Sequence, residues 1–169
     1  MYSDSDEIPN PKLLSNFNLK KKYGIFLQKF FVYKINLFNK YETPWQGTRI
    51  CKRKDLKSIS FLRKKIKSEN LKKSFWKIQY ERSIELIDQG GWHFNNMYTP
   101  EIISEKIHNI KNVDKNLIHV HSSQSEIADK MHNLEDIFYR NHKYEKIQID
   151  DNYPDYIRKN ISLFQDFII

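Results

Sequence analysis

The stretch from Ile25 to Phe38, IFLQKFFVYKINLF, narrows the fold more than any other part of the chain. Aromatic and β-branched side chains dominate it, and apolar and polar positions roughly alternate. That is the pattern of a strand packed against other elements, and the slips in alternation leave room for a bulge. A strand this apolar needs a core to join. The chain has the means to build one: 169 residues, 39% hydrophobic and 14% aromatic, a composition that excludes a disordered chain. Four glycines and five prolines exclude a low-complexity one.

The remaining elements follow from local signals. Residues 1–8 read as the end of a buried strand running into a turn. Asn10-Pro11 predicts a helix start, with Asn10 as N-cap and Pro11 in the first position. Leu13, Leu14 and Phe17 form its apolar face, and Gly24 closes the segment. Residues 42–49, ETPWQGTR, read as a loop. Residues 55–77 read as mostly helical, with Leu62, Ile66 and Leu71 facing inward. SIELIDQGGWHF, residues 83–94, predicts a strand entering a glycine turn. Thr99-Pro100 starts a helix with Ile103, Ile107 and Ile110 on one face. Ser123 and Glu126 form a capping box ahead of Ile127, Met131, Leu134 and Phe138. A short strand is expected over 144–150. Pro154 opens a last helix with Ile157, Ile161, Phe164 and Ile168. The sum is an α/β chain with few strands, helices dominating its second half.

Cys51 stands alone, which rules out an intrachain disulfide framework or a cysteine-based zinc site. The N-terminus lacks the basic and apolar regions of a signal peptide, and no apolar run approaches the ~20 residues that span a membrane. The net charge of +8 is concentrated: twelve basic and two acidic residues lie between Arg49 and Lys77, and the rest of the chain is slightly acidic. Such a run is either the solvated face of a helix or an electrostatic footprint for phosphates. With Phe61, Phe75 and Trp76 interleaved, it admits a nucleic-acid-binding reading, although no nucleic-acid motif accompanies it.

The opening SDSDEIP places Asp4, Asp6 and Glu7 within four residues. In an extended or turn conformation Asp4 and Asp6 point the same way, so their carboxylates can share a hard divalent cation that also takes substrate phosphates. Turn chemistry explains an isolated Asp-x-Asp equally well. The surroundings add to it. The opening resembles the Asp-x-Asp-Glu-Ile-Pro segment of glycosyltransferase family 17, the β-1,4-mannosyl-glycoprotein β-1,4-N-acetylglucosaminyltransferases. YKINL (33–37), Trp45-x-Gly47, RICKRKDLKS (49–58), Gly90-Gly91-Trp92-His93-Phe94, ISEKI (103–107) and Ile149-Asp150 … Tyr153-Pro154-x-Tyr156-Ile157 … Asn160 … Phe164 resemble further blocks of that family in the same order.

The resemblance implies a GT-A-like fold and a metal-dependent, inverting transfer of N-acetylglucosamine from a UDP-sugar to a mannose-containing glycan. Asp4 and Asp6 would hold Mn2+ or Mg2+ and the diphosphate. Glu7 and His93 are the candidate general bases, His93 also a candidate metal ligand, acceptor contact or plain structural imidazole. Trp45 and Trp92 would stack on sugar rings or else pack in the core. Gly47, Gly90 and Gly91 would allow close backbone approach, and Arg49 would grip a phosphate. The family's nucleotide-binding half has no counterpart ahead of the acidic loop. The expectation is therefore one incomplete domain over residues 1–169, completed by a separate N-terminal chain, or a remnant that keeps glycan binding without chemistry. Relatives that work in the Golgi are membrane-anchored, and no anchor is expected in this chain. The sequence departs from the family pattern at Asn112-Val113-Asp114, where many relatives carry His-x-Glu, with His119 and His121 out of register. It departs again at Asn95-Asn96.

Overall fold

The computed structural model describes residues 1–15, 17–67, 81–111 and 123–169. Leu71, Phe75, Trp76, Asn112-Val113-Asp114, His119 and His121 lie outside them. The elements in chain order are β1 (Glu7–Pro9), α1 (Pro11–Leu14), β2 (Tyr23–Val32), β3 (Leu37–Phe38), β4 (Trp45–Cys51), α2 (Ile59–Arg63), β5 (Ile84–Asn95), α3 (Pro100–Lys111), α4 (Gln124–His132), β6 (Glu145–Lys146) and α5 (Asp155–Lys159). Short 3₁₀ segments cover Arg53–Asp55 and Ile161–Phe167. The chain is mixed α/β and forms two compact units, Met1–Lys29 with Pro44–His93, and Phe30–Thr43 with Phe94–Ile169.

In the first unit β1 pairs antiparallel with β5, β5 lies beside β2, and β2 pairs antiparallel with β4. Tyr2 then bridges back to Arg49 on β4, each main-chain N–H donating to the other's carbonyl at 2.8 Å. The residues between Tyr2 and Glu7 thus span from β4 to β5. Inside, Tyr23, Ile25, Leu62 and Ile84 are buried together, with Phe61, Ile66 and Cys51 packed on them. The β2–β4 register slips between Ile25 and Leu27, which is the irregularity the alternation of β2 anticipated.

In the second unit Phe31 opposes Phe38 on β3, and β3 pairs with β6. Phe31 is fully buried and meets the rings of Phe38, Phe94 and Tyr153 at 5.8, 5.2 and 5.3 Å. Removing such a ring from water contributes roughly 2–3 kcal/mol. Ile103 and Ile107 from α3 and Ile127 and Met131 from α4 are buried in the same unit, as their spacing predicts.

Several boundaries differ from the sequence expectation for local reasons. The run 25–38 is not one strand, because Tyr33 adopts φ 63 and turns the chain between β2 and β3. Residues 45–49 are strand, not loop. The helix expected over 55–77 is only α2 before residue 68, capped by the Ser58 hydroxyl and ended at Lys64 in an extended conformation. Helix α4 stops at His132, since Leu134 has φ 62, so Leu134 and Phe138 lie past its end. The last helix breaks at Asn160 into a 3₁₀ segment, leaving Ile157 as its buried residue.

Candidate functional site

The acidic loop and the Gly-Gly-Trp-His-Phe block are neighbouring strands of the first unit. Glu7 opposes His93, Ile8 opposes Trp92 and Pro9 opposes Gly91. The loop that delivers Glu7 is a tight turn. The Asp4 carbonyl accepts the Glu7 N–H at 3.1 Å, and the Asp4 N–H donates back to Glu7 Oε2 at 3.3 Å. Ser3 ties it down, its hydroxyl donating to the Glu7 carbonyl at 3.1 Å and sharing a hydrogen bond with Thr48 at 2.7 Å.

The imidazole of His93 lies between two carboxylates. Its Nδ1 is 3.7 Å from Glu7 Oε1 and its Nε2 is 3.5 Å from Asp6 Oδ2. The side chain of Glu7 is 5% exposed and that of Asp6 37%, so the pair grades from the interior towards solvent. Trp45 Nε1–H donates to Glu7 Oε1 at 3.0 Å, and its ring meets the imidazole edge-on at 4.7 Å. Burial pushes the Glu7 carboxyl up, but hydrogen bonds from His93, Trp45 and the Asp4 backbone more than reverse this, leaving it below the ordinary glutamate value. Asp4 faces elsewhere: its Oδ1 accepts the Tyr2 hydroxyl at 2.6 Å and its Oδ2 lies 3.8 Å from Arg63.

The other expected site residues are buried or half-buried in the first unit. Trp92 neighbours His93 along β5, so the two point to opposite faces, and Trp92 is 7% exposed. Trp45 carries the Lys65 ammonium over its ring at 4.1 Å. The glycines admit close strand packing. A Cβ on Gly90 would sit 2.6 Å from the Leu27 nitrogen, one on Gly47 would collide with the Gln28 amide, and Gly91 has φ +130 with the Ile8 carbonyl against it. Gly90 and Gly91 therefore lie inside β5 and do not form the expected turn. Arg49 is buried, donating to the Leu62 carbonyl at 3.1 Å and to the Gly47 carbonyl. Tyr2, Arg63 and Lys65 were not singled out in the sequence. Arg63 and Lys65 belong to a run of cations that gives no basis for choosing among its members.

Among the described residues no group of three or more His, Cys, Asp or Glu side chains is arranged to enclose a metal ion. Asp4 and Asp6 are both half-exposed, but their carboxylates meet different partners, Tyr2 and Arg63 for Asp4 and His93 for Asp6, so the common orientation expected of the two is not the one the structure has. No helix among the described residues is long and apolar enough to cross a membrane.

No protein-family model matches the chain, and neither a curated protein nor a solved structure matches it at a significant level.

Proposed function

We propose that the chain is part of a GT-A-like, metal-dependent inverting glycosyltransferase that moves N-acetylglucosamine from a UDP-sugar to a mannose-containing glycan. The observation that carries this reading is the in-register pairing of Glu7 with His93. Two motifs more than eighty residues apart meet, and both belong to the set that resembles family 17.

A divalent cation bound by Asp4 and Asp6 would offset the charge that builds on the departing diphosphate. The chain's own residues then divide the remaining work. An inverting transfer needs a base for the proton of the attacking hydroxyl, best with a pKa near the working pH. Glu7 is a poor choice: its carboxyl is held below the ordinary range and already accepts hydrogen bonds from Trp45 and the Asp4 backbone. His93 takes the role, accepting the proton at Nε2, on the Asp6 side. Glu7 is a positioning residue that faces Nδ1 at 3.7 Å. Arg63 and Lys65 lie on the Asp4 and Trp45 flanks of the site and are the cations placed to meet phosphate oxygens.

The test is calorimetric titration of the folded chain with UDP-N-acetylglucosamine in Mn2+, alongside Asp4→Ala/Asp6→Ala. Binding that needs both the metal and the aspartates supports the reading. Donor binding that is unchanged without the metal or without the aspartates sinks it; a folded chain that binds no donor is a half-enzyme or a remnant without chemistry.

A further inference from the structure

A cavity of about 310 Å³ opens in the first unit, behind the strand pair that carries the acidic loop. Its volume is at the small end of ligand pockets. Two rings wall it, Tyr23 and Phe61, with centroids 5.4 Å apart. The Tyr23 hydroxyl is taken up by the Asp55 carbonyl, so the tyrosine presents its ring. Ile25, Leu62, Ile66 and Ile84 complete an apolar lining.

The charges in this lining do not balance. Among the described residues of the lining, Arg49, Lys64 and Lys65 contribute cations against one carboxylate, that of Glu81, which already lies 3.6 Å from Lys57. Arg49 decides the case. It is 5% exposed, donates to the main-chain carbonyls of Leu62 and Gly47, and forms no ion pair among the described residues. Burial lowers its pKa to about 10, against the pull of Glu7 and Asp4, so it stays charged at neutral pH. The carboxylates of Glu7 and Asp4 act on this buried guanidinium only from a distance, and an anion in direct contact with it further offsets the cost of its burial.

We infer that this cavity binds a small organic monoanion: one carboxylate, sulfonate or phosphate-ester group directed to Arg49, Lys64 and Lys65, on an apolar body held between Tyr23, Phe61 and Ile66. The cavity shares Lys65 with the proposed donor site, but its own test needs neither metal nor sugar donor.

The probe is 8-anilinonaphthalene-1-sulfonate, titrated by fluorescence into the full chain. N-phenyl-1-naphthylamine, which has the same rings without the sulfonate, is the neutral control. The expected result is one saturable equivalent of the sulfonate, with the neutral compound weaker by about tenfold. Lys64→Gln/Lys65→Gln, at two exposed positions, weakens the sulfonate by about fivefold and leaves the neutral compound unchanged. Ile66→Trp fills the cavity and abolishes saturable binding at unchanged circular dichroism. Equal affinity for the two compounds, several non-saturable equivalents, or sulfonate affinity untouched by the lysine changes overturns the proposal. If Ile66→Trp does not fold, the lysine variant and the neutral compound decide it.

Discussion

Each unit has a buried carboxylate at its centre, and the two are treated differently. In the second unit Asp136 is 2% exposed and saturated. Its Oδ1 accepts the Tyr144 hydroxyl at 2.7 Å and Arg140 Nη2 at 2.8 Å. Its Oδ2 accepts the Phe138 and Arg140 main-chain N–H groups and Arg140 Nε, at 3.1, 3.0 and 3.0 Å. The partner is a permanent cation, and the network folds the loop after α4 around one point. In the first unit Glu7 faces His93, and beyond it stands the half-exposed Asp6. Apart from His93, the Asp6 carboxylate has no partner among the described residues. A saturated carboxylate organises a loop. One that shares an imidazole with a second, more exposed carboxylate leaves part of its charge unmatched by fixed partners, which is the arrangement the proposed mechanism uses.

The largest test of this contrast is Asp136→Ala. It removes every bond to that carboxylate at once and leaves buried main-chain donors without an acceptor, so a loss of about 3 kcal/mol is expected in urea denaturation. A loss below 1 kcal/mol would break the contrast from the structural side. The complementary change is His93→Gln. With UDP-N-acetylglucosamine, Mn2+ and a mannose-terminated acceptor, turnover is expected to fall by about 100-fold, while donor binding stays within about threefold. Equal losses in turnover and donor binding would make His93 a binding or packing residue and would remove the base from the proposed mechanism.

Next in size is Gly91→Ala. Position 91 has φ +130 and the Ile8 carbonyl against it, so a methyl group there displaces β1 from β5 and costs about 2 kcal/mol. The distinctive readout is that the edge contact between Trp45 and His93 should change with it, visible as altered Trp fluorescence even where the variant stays folded.

The sequence made some of this legible and concealed the rest, for identifiable reasons. Caps are local, so Asn10 before α1, Pro100 at the start of α3 and Ser123 before α4 were readable, and the caps of α1 and α4 form the expected side-chain bonds. The strand β1 has three residues and therefore no period. It exists because β5 offers it a partner, and nothing in EIP announces that. Trp45-x-Gly47 has turn composition, yet Gly47 is needed because Gln28 fills the space a side chain would take. Within the site, Asp6, Glu7, Trp45 and His93 were nameable by residue type. Their division of labour was not, because it depends on which carboxylate is buried. The role of Tyr2 as partner of Asp4 likewise needs the turn that brings its hydroxyl around.

The smallest effect is the most specific, and it concerns Glu7→Gln. The amide keeps an oxygen for Trp45 and loses the charge facing His93, so a stability loss of about 1 kcal/mol is expected at pH 7. The Glu7 carboxyl is held below the ordinary glutamate value by its hydrogen bonds from His93, Trp45 and the Asp4 backbone, which outweigh burial, so the ionised form is the one the fold favours. Its contribution is therefore fully present above the unfolded-state pKa and is lost as pH falls through the lower folded-state value. The difference between wild type and Glu7→Gln should be constant from pH 6 upwards and shrink as pH drops below about 4.5. Urea denaturation at pH 7 and at pH 3.5 measures it. Asp136, also held low once its bonds to Arg140 and Tyr144 outweigh burial, imposes the same acid limb on wild type and variant and cancels in the subtraction. A difference that stays constant down to pH 3.5 would mean that the Glu7 charge contributes nothing. Glu7 would then be a packed hydrogen-bond acceptor like those of the second unit, and the contrast between the two carboxylates would fail at its centre.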